Sequence, residues 1–131
     1  MNLLLDTQTL LWWREGNRKL GPRTRQAIEG GAASVVVSVV TGWEIAIKSR
    51  SGRLRLSASI DVWMPAVLEG GRFDVLDIRM AHAIAVATLP PHHADPFDRL
   101  LIAQAQMEGF TIATSDGAFD DYDVKVLDAR V

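Results

Sequence analysis

PPHHADPFDRLLIAQAQM, residues Pro90–Met107, is the stretch from which the fold can be read outward. A loop rich in Pro and His runs into Asp95-Pro96-Phe97-Asp98, and an apolar helical segment follows. Asp is favoured at a helix N-cap and Pro at the first helical position, so Asp95 is the expected cap and Pro96 the first residue of the helix. Asp98 then falls in the first turn, beside free backbone N–H groups and the positive end of the helix dipole, where a carboxylate stays ionised. It can stabilise the helix there or hold a metal ion. Its own neighbours do not decide between the two.

On the C-terminal side, Phe110–Thr114 (FTIAT) and Val124–Leu127 (VKVL) read as strands. On the N-terminal side, Ala81–Thr88 predicts an Ala-rich helix and Phe73–Ile78 (FDVLDI) a strand. Ile60–Leu68 predicts a helix stopped by Gly70-Gly71, and Val39–Arg50 one ended by Gly52. Ser34–Ser38 (SVVVS) is a β-branched strand, and Pro22–Ile28 a helix stopped by Gly30-Gly31. Thr9–Arg14 is a short helix, and Leu3-Leu4-Leu5 an apolar run suited to a parallel strand buried on both faces. Strands alternate with helices throughout, which predicts a three-layer α/β/α sandwich on a mainly parallel sheet of about five strands. No repeat, low-complexity tract or linker interrupts residues 1–131, so one domain is expected.

Composition narrows the chemistry. Of 131 residues, 48% are hydrophobic and 23% charged, the profile of a globular protein able to bury a core. The absence of cysteine excludes disulfides, thiolate metal sites and cysteine nucleophiles. No apolar run reaches the ~18 residues of a membrane span, and the first residues lack the basic start of a signal peptide, so the cytoplasm is the expected location. With a formal net charge of −2, any nucleic acid would have to be met by a local basic patch.

Four carboxylates stand out by position: Asp6, Glu44, Asp98 and Asp116. Singly, each has a structural reading. Asp6 can cap the helix after the first strand, Thr41-Gly42-Trp43-Glu44 fits a capping box, and Asp116 in Thr114-Ser115-Asp116-Gly117 can be a turn residue. Jointly they say more. Asp6 and Asp116 follow strands, Glu44 lies one helical turn beyond a strand, and Asp98 opens a helix that leads into one. In a parallel sheet these positions share one rim, where open α/β proteins bind ligands. Four acids there repel one another unless a positive charge sits between them. The fitting counter-charge is a hard divalent cation, Mg²⁺ or Mn²⁺, which activates water for displacement at phosphorus.

Four segments then carry a specific likeness: LLLDTQTLLWW (3–13), SVVTGWEIAIKSRSGRL (38–54), LPPHHADPFDRLLIAQA (89–105) and TIATSDGAFDDY (111–122). The sequence resembles the PIN-domain ribonucleases, specifically the VapC-type toxins of toxin–antitoxin pairs, from Asn2 to about Leu127. The resemblance implies an endoribonuclease cutting single-stranded or loop RNA to leave a 5′-phosphate and a 3′-hydroxyl. It implies one or two Mg²⁺ or Mn²⁺ ions, with Asp6, Glu44 and Asp98 on the principal ion and Asp116 on a second ion or a bound water. Asp95 is an additional acid read as a cap. Relatives often carry His where this chain has Gln8, so no role is assigned to that position. Implied partners are the RNA substrate, a second copy of the chain, and a cognate VapB-type antitoxin that blocks the acidic cleft with a basic side chain.

Other residues have weaker claims. Lys48, Arg50, Arg53 and Arg55 cluster just past the Glu44 helix, with Lys48 and Arg50 the better candidates for phosphate contact. Arg99 can neutralise a scissile phosphate or pair with Asp95. Thr114 or Ser115 can hydrogen-bond to the carboxylates or to a bound water. His92-His93 reads as a surface loop touching substrate, Trp43 as core, and Trp12-Trp13 as an interaction surface. A haloacid-dehalogenase reading needs a second Asp where Gln8 stands, and a receiver-domain reading needs a late Lys that this chain lacks outside a strand. The remaining alternative is a non-catalytic PIN-like module that binds RNA or protein, against which the intact acids argue.

Overall fold

Leu3-Leu4-Leu5 becomes the centre of the molecule because an uninterrupted apolar run can be buried on both faces of a parallel sheet. A computed structural model describes all residues, Met1–Val131. Five strands, β1 (Asn2–Leu5), β2 (Ser34–Ser38), β3 (Asp74–Leu76), β4 (Thr111–Thr114) and β5 (Val126–Asp128), form one sheet in the order β3-β2-β1-β4-β5. Every neighbouring pair is parallel. Leu5 lies opposite Val37 on one side and Ala113 on the other, so β1, β2 and β4 end level with one another.

Six helices connect the strands: α1 (Thr7–Glu15), α2 (Pro22–Gln26), α3 (Val39–Arg50), α4 (Ile60–Gly71), α5 (Met80–Ala85) and α6 (Pro96–Glu108). The period-2 alternation of strand side chains divides the core between the two faces. Leu3, Leu5, Val37 and Ala113 pack with Leu10, Ile28, Ile45, Trp63 and Val67 from α1, α3, α4 and the wide turn after α2. Leu4, Val36 and Ile112 pack with Val40, Leu101, Ile102 and Ala105, chiefly from α6. The result is the expected three-layer α/β/α sandwich. No helix is long and apolar enough to cross a membrane.

Several local expectations need correction. The pair Gly70-Gly71 does not stop α4; the helix runs through it and ends at Arg72, in the left-handed region at φ 54°. Gly71 is required by close approach, since a Cβ there would lie 2.2 Å from the ring of buried Phe73. Thr41 and Glu44 form no capping box, because α3 starts earlier, with Ser38 as the N-cap accepting from the Val40 N–H. Ser38 can serve there because its own hydroxyl donates to buried Gln104 of α6 at 2.6 Å. Trp43 is not core: it is 56% exposed, edge-on to Phe97. Trp12 and Trp13 are half-buried against the core, Trp13 edge-on to Phe73. β3 is shorter than FDVLDI suggests, because Phe73 turns into the core ahead of the strand.

Candidate active site

The chain leaves β1 toward β2 and β3 on one side and places β4 on the other, so the sheet reverses its order beside β1. A crevice opens outside the strand ends at such a switch point. Here it is a cleft of about 390 Å³ whose lining includes Asp6, Glu44, Asp98, Asp116 and Asp95. All four acids singled out in the sequence therefore meet in one place, each delivered by a different segment.

Asp6 is the N-cap of α1, accepting from the Thr9 N–H at 2.8 Å, and its other oxygen accepts from the Thr114 hydroxyl of β4 at 2.5 Å. Glu44, on the buried face of α3, accepts from the Thr7 hydroxyl at 2.6 Å and pairs with Lys48 one turn on. Asp95 caps α6 through the N–H groups of Phe97 and Asp98, which fixes Asp98 in the first turn. Asp116 caps the short turn Gly117–Asp121, accepting from the Ala118 N–H. The capping and cleft roles are not alternatives. A cap uses part of a carboxylate's acceptor capacity and leaves the rest facing the crevice.

The electrostatics are unfavourable for these acids as they stand. Burial pushes the Asp6 carboxyl above its ordinary value, against the opposing pull of its hydrogen bonds from Thr114 and Thr9. The first-turn position does not keep Asp98 firmly ionised as expected: it is pushed up to about 7, chiefly by burial and then by the charges of Asp95 and Asp6, with His93 pulling the other way. No lysine or arginine pairs with Asp6, Asp98 or Asp116; Lys48 offsets Glu44 alone. Hard carboxylate oxygens, preset by neighbouring hydroxyls and short of positive charge, fit a divalent cation such as Mg²⁺ or Mn²⁺.

The secondary candidates divide. Lys48 and Ser115 line the cleft, and so does Arg53, whereas Arg50 is exposed outside it. Thr114 is spent on Asp6 and on the Asp116 N–H. Arg99 is not among the residues lining the cleft and does not pair with the Asp95 carboxylate. Its guanidinium donates to the carbonyls of Val86, Leu89, Pro90 and His93 and to the Tyr122 hydroxyl, pinning the Pro-rich loop. His93 is the residue the sequence reading undervalued. Its Nε2 lies 2.9 Å from Asp98 Oδ2 and 3.2 Å from Asp116 Oδ2. The available signal was a histidine five residues before a first-turn acid, close enough for the loop to fold back over the helix start.

Comparison with known proteins places this arrangement. The PIN domain family matches residues 3–125. The curated protein Ribonuclease VapC22 of Mycobacterium tuberculosis is 30% identical over 114 residues, covering 87% of this chain and 86% of that protein. Among solved structures, VapBC2 from Rickettsia felis bound to a promoter DNA fragment superposes with a TM-score of 0.73 at 12% identity, covering 97% of this chain and 98% of that one. DNA-bound VapBC from Salmonella typhimurium gives 0.70 at 17% identity, covering 98% of each chain. At those identities the structural likeness speaks for the fold. Together with the family match and the curated relative, it means that the chain belongs to the PIN-domain family, as a VapC-type member.

Proposed function

We propose that this chain is a divalent-metal-dependent endoribonuclease of a toxin–antitoxin pair, hydrolysing RNA phosphodiesters to 5′-phosphate and 3′-hydroxyl products. The observation that carries the reading is the convergence of Asp6, Glu44, Asp98 and Asp116 in one cleft, three of them without a lysine or arginine partner. The ribonuclease name of a relative spanning most of the chain supports the same activity. Asp6, Glu44 and Asp98 hold the principal ion, and Asp116, 45% exposed, holds a second ion or a bound water more weakly. Bound Mg²⁺ or Mn²⁺ supplies an activated water and neutralises charge on the phosphoryl group.

The chain's own groups do the rest. Thr114 and Thr7 hold Asp6 and Glu44 in place, and Lys48 and Arg53 offer positive charge to an RNA backbone entering the cleft. The solved relatives named as VapBC pairs support a cognate VapB-type antitoxin as partner. A homodimer and a cytoplasmic location follow the family resemblance. The test is end chemistry. Fragments cut from a defined RNA in Mg²⁺ should be extended by poly(A) polymerase, which needs a 3′-hydroxyl. Fragments ending in 2′,3′-cyclic phosphate would mean a metal-independent route and would overturn the reading.

A further inference from the structure

His93 does not belong to the acid quartet, yet it touches two of its members. Its Nε2 lies within hydrogen-bonding distance of both Asp98 and Asp116, and the three potential ligand atoms fall within 4.8 Å of one another. That proximity admits two roles: a direct nitrogen ligand, or a donor that clasps two carboxylates. The other ring nitrogen separates them. Nδ1 faces the backbone N–H of Asp95 at 3.4 Å, an acceptor position, which leaves Nε2 as the ring's donor toward the two carboxylates. An Nε2–H set between two carboxylate oxygens at 2.9 and 3.2 Å clasps both of them, which is the donor role.

The ring is held in this attitude from several sides. The His93 backbone N–H donates to the Tyr122 hydroxyl at 2.9 Å, and its carbonyl accepts from Arg99. Tyr122 in turn donates to the Pro90 carbonyl at 2.8 Å, and the His93 ring stands edge-on to buried Phe119. The many contacts of Arg99 thus have a purpose beyond the loop itself, because they fix the residue that bridges two acids. Asp116 needs such a bridge: it sits on a short turn and is much more exposed than Asp98, at 45% against 18%.

We infer that His93 is a positioning residue for the metal site, its Nε2–H holding the Asp98 and Asp116 carboxylates in a fixed mutual geometry. The inference rests on the metal-dependent reading above. Outer hydrogen-bond partners of ligating carboxylates typically change metal affinity by about 10–100-fold. Mn²⁺ binding to the purified 131-residue chain, followed by electron paramagnetic resonance of the free ion, gives a readout independent of RNA cleavage. His93→Ala should weaken binding by about 10–100-fold. His93→Gln, whose amide nitrogen restores a donor near the Nε2 position, should return it to within a few-fold of the wild type. Circular dichroism and melting would show both variants folded.

Unchanged or tighter binding in His93→Ala would overturn the inference while leaving the metal reading intact. Equal losses in His93→Gln and His93→Ala would also overturn it, in favour of direct ligation by nitrogen. A wild-type chain that takes up no Mn²⁺, with Asp6→Asn indistinguishable from it, would remove the metal reading and this inference together.

Discussion

Asp98 is held where its charge is costly. Its ordinary value of 3.8 rises to about 7 in the fold, mainly through burial and the neighbouring Asp95 and Asp6 carboxylates. A folded-state value above the unfolded one means the native protein binds the extra proton. The contribution to stability is therefore complete below about pH 4 and is lost as pH rises through about 7. Metal-free protein should melt at lower temperature at pH 8 than at pH 5. Asp98→Asn should flatten that dependence and raise stability at pH 8 by about 1–3 kcal/mol, while abolishing RNA cleavage. Parallel melting profiles for mutant and wild type across this range would argue that Asp98 is not strained. The Thr114 hydroxyl works at the same scale, since it presets Asp6. Thr114→Val should lower metal affinity by about 10-fold with little change in melting temperature, as isothermal titration and thermal melts would show.

The elements explain which parts of this chain could be read in advance. α6 was legible because its start is written in short-range chemistry: Asp95 caps two N–H groups and Pro96 occupies the first turn. Asp95→Ala should cost about 1 kcal/mol in chemical denaturation, with further loss of activity through misplacement of Asp98. β1 and β2 were legible because buried parallel strands are continuous apolar runs. The bounds of α3 were legible, but its cap was misread as a Thr41–Glu44 box, because the true cap, Ser38, is also the last residue of β2 and its bond to Gln104 spans 66 residues of sequence. Gly70-Gly71 was misread as a stop because its reason is spatial. Gly71→Ala would drive a methyl group into the Phe73 ring and should destabilise the protein by about 1–3 kcal/mol, measurable by thermal melting. His93 was undervalued for a similar reason: nothing in PPHHADP says which way the ring turns. Its backbone is fixed by Tyr122 and Arg99, and its ring stands edge-on to Phe119.

At the scale of the molecule, the strand order decides where chemistry can occur. β1 is central, the sheet reverses its order between β1 and β4, and the acids that follow these strands share the crevice with those of α3 and α6. The four acids could be named from sequence because each is tied to the end of an element, and parallel topology turns that into proximity. The supporting cations could be named only in part: Lys48 lines the cleft as expected, but it is joined there by Arg53 in the loop after α3 and not by Arg50 within it. Because the acids repel one another without a counter-ion, Mn²⁺ should raise the melting temperature, and more at pH 8 than at pH 5. An equal shift at both pH values would mean that the ion binds elsewhere.

The central claim is that this carboxylate cleft cuts RNA with a divalent ion. Its most direct test is incubation of total cellular RNA with purified, antitoxin-free protein in Mg²⁺, in Mn²⁺ and in EDTA, beside Asp98→Ala. Discrete products in either metal, absent with EDTA and absent with the variant, are the predicted result. Cleavage that persists in EDTA or in Asp98→Ala would contradict the account. Folded wild-type protein that leaves RNA intact with both metals would favour a PIN-like module that binds without cutting.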